Sequence, residues 1–590
     1  MAFVFSTHAP AAAAAAPRPN IVLVFTDDQR WDTLWAMPNV QRTLVAPGIS
    51  FSNAFVVNPV CCPSRASTLT GRYSHATGIY RNQAPYGGFA SFDDSSTIAT
   101  WLHGAGYRTA AIGKYLIGYT GVPYVPPGWD HWVGYKGGYF NYTLNVDGRA
   151  RSFGSAPEDY STDVLAAKAV SFVEETPGPF FLMFSPFAPH SNATPAARHA
   201  NTFSDLEPWR PPSFDEYDVS DKPDWIDAFP RLSEVRQERV DALRKNQFRS
   251  LLAVDEAVGA IVAALERTGR LENTLIVFTS DNGLLWGEHR LVNWKIVPWE
   301  ESIRVPFVVR YDALIAQPRR ERRIALNIDL APTFAALAGA QAPGTQGRSL
   351  VPVLESSPTT WRRDFLIESV RHRALWPTPT YCAVRDTRFL YASYESGDEE
   401  LYDLRTDPYQ MKNAVGRPEY ATILAARRDR LKQVCSPPPP ILCTAEGGVG
   451  NDSIVGREAY DVVCAFDGHD TVRARGGNDR VRAAAGNDAV HGALGRDRIA
   501  GGPGADVLWG GLDADVVWGG EGADVLYGDA ASDRLIGGPG RDRIAAGLGA
   551  DRLFVRDLDV DAVACGAGSD IVRADSRDRV SRDCESTRRG

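Results

Sequence analysis

The sequence predicts two folds in one chain: an α/β layer, with a mostly parallel sheet and helices on both faces, and after it an all-β solenoid. Three observations predict this. Short apolar runs at 21–25, 109–112, 180–184, 274–278 and 307–309 alternate with helical patterns at 163–175, 235–267 (with a break allowed) and 329–337. A stiff proline run, Pro437 to Pro440, follows a charged helical stretch at 420–434, and the composition then turns to Gly, Asp, Arg and Ala. Beyond it, aspartates recur every nine residues at Asp452, Asp461, Asp470, Asp479, Asp488, Asp497, Asp506, Asp515, Asp524, Asp533, Asp542 and Asp551, each with an aliphatic residue two positions later.

These features divide the chain into an α/β domain at 19–435, a proline-rich linker at 436–446 and a repeat domain with a C-terminal cap at 447–590. Residues 1–18 carry a short apolar start and an alanine run but no basic leading segment, which fits the remnant of an export signal or a disordered lead. With 63 Lys and Arg against 72 Asp and Glu, the formal net charge is -9, which offers no long basic stripe for nucleic acid, and no nucleic-acid partner is expected. No apolar run is long enough to cross a bilayer as a helix. The eight cysteines fall into two groups: Cys61, Cys62 and Cys382, and then Cys435, Cys443, Cys464, Cys565 and Cys584. A Cys565–Cys584 pair would imply an oxidising compartment, and the odd count leaves one cysteine unpaired or crossing to Cys382.

Function concentrates where strands end, because ligands of open α/β sheets gather at the carboxyl ends of the strands. Three such ends carry polar groups: Thr26-Asp27-Asp28, Phe187-Ala188-Pro189-His190 and Ser280-Asp281-Asn282-Gly283. Carboxylates and a carboxamide on one rim suit a hard divalent cation such as calcium or magnesium. Any one of them alone would read as a helix cap, but all three together do not.

Cys61-Cys62-Pro63-Ser64-Arg65 leads into Leu69-Thr70-Gly71-Arg72, and this stretch resembles the signature of the sulfatase family. Further matches follow in the family's order: Asp27-Asp28, Gly113-Lys114, Ala188-Pro189-His190, Ser280 to Gly283, Gly287-Glu288-His289, Lys295, Arg304-Val305-Pro306, 329–334 and 401–407. The resemblance implies an alkaline-phosphatase-like fold and conversion of Cys61 to formylglycine by a separate formylglycine-generating enzyme. The hydrate of that aldehyde offers one hydroxyl to attack sulfur and a second to expel sulfate. It further implies Asp27, Asp28, Asp281, Asn282 and the modified Cys61 as metal ligands, and Arg65 as the residue fixing the hydrate. Lys114, His190 and Lys295 are implied around the sulfate oxygens, with His289 also binding substrate, and His190 or Lys295 as the proton donor to the departing alkoxide. The chain departs from many arylsulfatases at Gly113-Lys114-Tyr115-Leu116, where they carry a histidine in place of Leu116. That version, together with Cys62, 211–214 and 219–223, resembles the N-acetylglucosamine-6-sulfatase branch and implies a sulfated carbohydrate substrate.

The repeats match Gly-Gly-x-Gly-x-Asp-x-aliphatic-x in full at 501–509, 519–527 and 537–545, and resemble the RTX calcium-binding β-roll of secreted bacterial proteins. The resemblance implies calcium at turns bearing Asp479, Asp488, Asp497, Asp506, Asp515, Asp524, Asp533, Asp542 and Asp551, and a secreted or cell-surface protein, bacterial in origin. Ala459, Asp513 and Ala531 replace turn glycines, and many variable positions carry Arg, so arginines neutralising the aspartates without metal is an alternative. Asp561 and Asp570 continue the register after a one-residue insertion. Two other functions compete: a phosphodiesterase or phosphonate hydrolase on the same fold, and a calcium-dependent surface-binding protein whose first domain is idle.

Overall fold

The computed structural model describes residues 18–589 apart from 85, 120, 356–359, 372–377, 441–442 and 558; the expected signal remnant lies, but for Arg18, outside the described residues. A ten-stranded sheet organises the first domain. At its centre Thr274–Ser280, Asn20–Thr26, Phe180–Ser185, Arg108–Lys114 and His131–Tyr135 lie side by side and parallel, with Phe307–Arg310 antiparallel beside Thr274–Ser280. Alternate side chains of a strand point to opposite faces, so one strand serves two cores. Val22 and Val24 pack with helices Ser161–Glu175 and Glu234–Arg267. Ile21, Leu23 and Phe25 pack with Cys61–Thr70, Ile98–Gly104 and Leu330–Ala338 on the other side. This burial on both faces is why the strands read as continuous apolar runs. Glu234–Arg267 runs unbroken for 34 residues, started by Ser233, whose side chain accepts from the Arg236 N–H.

A second, antiparallel sheet of Asp364–Ser369, Tyr381–Asp386, Phe389–Tyr394 and Glu399–Asp403 is covered by the helix Ala421–Val434. Cys382 pairs with Cys435, tying that helix to the sheet. The other disulfides are Cys443–Cys464 and Cys565–Cys584, so the odd cysteine crosses to Cys382 and the pair near the C-terminus forms as expected.

The repeats form a roll of two parallel sheets with nine and eight strands. Up to the strand Val525–Ala530 each rung pairs with one 18 residues on, as Leu508 with Leu526 and Val517 with Leu535; one nine-residue repeat is therefore half a turn. The aliphatic residues of both sheets fill a single core. The ladder aspartates stack as well: each donates its N–H to the Oδ1 of the aspartate one turn later, as Asp488 does to Asp506 at 2.8 Å. After the insertion the pattern continues from Asp542 to Asp561 and from Asp551 to Asp570, both at 2.8 Å. Glycine is required in these turns by closeness: a Cβ on Gly501 would lie 2.3 Å from Asp506 Oδ2 and 2.5 Å from the Gly519 carbonyl oxygen. The first roll strand, Ala445–Glu446, lies inside the stretch expected as linker and pairs with Val463 and Cys464. The roll sits against the first domain, with Arg371 4.4 Å from the Tyr460 ring centroid and the Asn478 amide donating to Asp224.

Candidate active site

Strand register assembles the site. Asn20–Thr26 and Thr274–Ser280 are parallel with Thr26 opposite Ser280, so Asp27-Asp28 and Asp281-Asn282 emerge side by side from the same edge. Asp28 adopts a left-handed backbone (φ 64°), uncommon for a residue with a side chain; its N–H donates to Asp281 Oδ1 at 3.1 Å. Lys114 ends the strand beside Phe180–Ser185. The preceding Gly113 has φ 131°, and a Cβ there would lie 1.9 Å from the Ser185 carbonyl oxygen.

Cys61 opens the helix Cys61–Thr70 and is fully buried. Its Sγ lies 3.5 Å from Asp27 Oδ1 and 4.0 Å from Asp28 Oδ1, with Lys295 Nζ at 2.8 Å. Lys295 also donates to Asp28, and Lys114 to Asp27. The residue after Lys295, Ile296, has φ 75°; a β-branched residue in this region marks backbone strain, here beside a lysine held over the thiol. Arg65 reaches across the site from the same helix as Cys61: Nε donates to Asp281 Oδ2 at 2.7 Å, and Nη1 to Ser185 Oγ at 2.7 Å and the Lys114 carbonyl at 2.9 Å. It thereby fixes a carboxylate and the ends of two strands at once. His190 brings Nε2 to 3.6 Å from Asp28 Oδ2, while its Nδ1 meets the Ser191 carbonyl at 2.6 Å.

Burial would raise the Asp27 carboxyl, but Lys114, His190 and Arg65 outweigh it and hold the group at about 2. Asp281 is pushed up by burial and by the neighbouring Asp27 charge. Burial also pushes the Cys61 thiol far up, more than Lys114 and Lys295 draw it down, so the unmodified side chain is a thiol and a poor nucleophile.

These residues fit a hard divalent cation. Asp27, Asp28, Cys61 and His190 each offer a ligand atom within 4.8 Å of the others. The Asn282 Oδ1 is buried without a hydrogen-bond partner, an acceptor available to a cation. Asp281 stands beside them, its Oδ2 already engaged by Arg65. The residues singled out in the sequence thus come together at one edge, with His190 closer to the carboxylates than its substrate role implied.

His289, expected to bind substrate, is held by a separate set of partners. It has no exposed surface; its Nδ1 meets Glu216 at 2.5 Å and its ring lies 4.3 Å from Trp299. Its N–H bonds the Ser213 carbonyl, so the 213–216 segment folds over it, and Glu288 beside it is engaged by Arg30 at 2.7 Å. The His289 Nε2 is buried without a hydrogen-bond partner. Leu116, where an imidazole was missed, is buried in the apolar core, so that position supplies no base. Ser185 and Glu216, which hold Arg65 and His289, escaped the sequence reading because neither stands in a recognisable motif.

The family comparisons agree with this geometry. The sulfatase profile matches residues 19–340, more than half the chain. The chain belongs to the sulfatase family. A profile for the C-terminal region of N-sulphoglucosamine sulphohydrolase matches residues 287–436 of this sulfatase, and RTX calcium-binding nonapeptide repeats match 465–499, 491–526 and 527–556. The sulfatase is 33% identical to an arylsulfatase of Volvox carteri over 71% of its own length and 74% of the relative's. It is 31% identical to an N-acetylglucosamine-6-O-sulfatase of Bacteroides thetaiotaomicron over 68% and 84%. A solved structure described as in complex with its substrate D-glucosamine-2-N,6-O-disulfate superposes with a TM-score of 0.61 at 28% identity, covering 71% of this chain and 98% of that one.

The roll carries a second set of acceptors. The Oδ2 atoms of the ladder aspartates from Asp470 to Asp570 are buried without a hydrogen-bond partner. In the roll Arg457 pairs with Asp461 and Arg475 with Glu458. The alternative in which arginines neutralise the ladder therefore holds at Asp461 and not along the rest, because the other arginines point elsewhere.

Proposed function

We propose that this sulfatase hydrolyses sulfate esters of an amino sugar, using a formylglycine made from Cys61 and a divalent cation, calcium or magnesium, held by Asp27, Asp28, Asp281 and Asn282. The observation that carries the reading is the position of Cys61: at a helix start, within 4.0 Å of two carboxylates and beneath Lys295. When present, the aldehyde hydrate and the cation supply an activated oxygen nucleophile at that point. The chain's own residues do the rest. Lys114 and Lys295 place positive charge where the sulfate oxygens gain negative charge. His190 is the better proton donor to the leaving oxygen, because Lys295 is committed to Asp28 and the Cys61 position, whereas the His190 side chain is a quarter exposed. Arg65 keeps Asp281 and the Lys114 strand end in register with the helix that carries Cys61.

The substrate reading is supported by the named amino-sugar sulfatase relative and by the disulfated glucosamine of the matching structure. In the roll, the partnerless Oδ2 atoms beside turn carbonyls fit calcium, and disulfides with RTX repeats support a secreted protein. Turnover of glucosamine 6-sulfate, an aryl sulfate, an aryl phosphate and a phosphonate monoester tests the proposal. The expected result is fastest turnover of a sulfate ester, with the amino sugar preferred; faster phosphate or phosphonate hydrolysis would overturn it.

A further inference from the structure

Beyond Arg457, which pairs with Asp461, arginines of the repeats form a face of their own. From the rung at 480 onward in the sheet that begins at Ala445–Glu446, the residues one and three positions after the ladder aspartate point outward and the residue between them points into the core, as in Arg480–Arg482 and Arg498–Pro503. From the rung at 480 onward these outward positions hold Arg480, Arg482, Arg498, Arg534, Arg552 and Arg573 and no acidic residue. Arg480 stands directly opposite Arg498, and Arg534 opposite Arg552. All six but Arg480 are exposed, and among the described residues none of their side chains makes an ion pair or hydrogen bond. The rings on this face serve the arginines: Arg534 lies 4.5 Å and Arg573 5.4 Å from the Phe554 centroid, and Trp518 is exposed among them.

Like charges directly opposite on neighbouring strands are destabilising; Glu395 and Asp398 of the first domain act on Arg482 and Arg498, which leaves, among the described residues, the Arg534–Arg552 pair as the repulsion no first-domain acid offsets. A linear polyanion would relieve that cost. From the strand Arg480–Arg482 to the strand Ile571–Ala574 the face extends about 24 Å at the usual spacing of paired strands. It starts where the roll meets the first domain: Asn478 bonds Asp224, and Arg498 lies against Gly397. Asp224 adjoins Trp225, which packs in one cluster with Trp294, Val297 and Trp299, the segment that carries Lys295. The face therefore leads away from the neighbourhood of the active site.

We propose that this arginine face binds a sulfated polysaccharide chain, the polymer from which the active site removes sulfate. Guanidinium groups pair with planar faces of oxyanions through two hydrogen bonds, a match to sulfate groups repeated along a chain. The proposal rests on the sulfate-ester reading of the active site for its ligand, but its test does not depend on turnover.

The test compares the full calcium-loaded chain with an Arg534→Ala/Arg552→Ala/Arg573→Ala variant on a heparin column and in kinetics. The variant is expected to elute at distinctly lower salt and to show KM for a sulfated polymer raised about 10-fold with kcat unchanged, while turnover of a small aryl sulfate stays the same. The corresponding triple lysine variant should fall between the two on the column, since it keeps charge and loses the paired geometry. Unchanged elution and KM in the alanine variant would overturn the proposal. Equal retention of the parent chain on double-stranded DNA or an unsulfated polyuronate would also overturn it, as binding by charge alone. A chain that hydrolyses no sulfate ester yet loses heparin retention on substitution would remove the proposed activity and leave this surface standing.

Discussion

Cys61→Ala is expected to lose at least about 1,000-fold in kcat for sulfate esters while keeping its fold, because alanine has no thiol to be oxidised to the aldehyde whose hydrate supplies the nucleophilic oxygen. The neighbouring Cys62→Ala should behave in the opposite way. Cys62 is buried in the apolar core with Ala66 and Leu69, and burial raises its thiol to about 12, so its loss costs stability, about 1 kcal/mol for a small buried group, and little turnover. Steady-state kinetics with an aryl sulfate, alongside thermal melts of both variants, separates the two roles. Comparable activity loss in both variants would mean that the pair acts as one unit and that the assignment to Cys61 fails.

Removal of calcium should unfold the roll, and more readily as pH rises. Burial, helped by repulsion from neighbouring aspartates and only partly opposed by backbone N–H donors, moves the ladder carboxyls up in the metal-free chain: Asp479 to about 9, Asp515 and Asp533 to about 8, Asp497, Asp506 and Asp542 to about 7. A carboxyl whose pKa is higher folded than unfolded holds its proton better in the fold. Its contribution is therefore complete below the unfolded value of 3.8 and is lost as pH rises through 7 to 9. In chelator, the roll transition is expected to fall steadily in Tm between pH 5 and pH 9. Calcium should reverse the trend, since it binds the deprotonated carboxylates and gains affinity as protons leave. A Tm in chelator that is flat or rises with pH would contradict this account of the ladder.

Local signals carried much of the structure into the sequence. The parallel strands were legible because burial on both faces writes itself as an apolar run, and the roll because a half-turn of nine residues repeats its aspartate and aliphatic positions. Asp27, Asp28, Asp281 and Asn282 could be placed together because each pair follows a strand, and adjacent parallel strands end at one edge. What was illegible depends on contacts between distant segments. The burial of His289 needs the 213–216 segment above it, and the Cys382–Cys435 bond needs the packing of a helix on a sheet. The arginine face was hidden for a geometric reason. Its residues recur 18 positions apart, so the linear sequence shows scattered arginines and an acidic total, and only the stacked rungs turn them into a stripe.

The account depends most on the chemical state of one side chain. Mass spectrometry of the peptide containing residues 61–65, taken from fully active enzyme made with a formylglycine-generating enzyme, tests it directly. The aldehyde in place of the Cys61 thiol is the predicted result, and an intact thiol in enzyme of undiminished activity would contradict it.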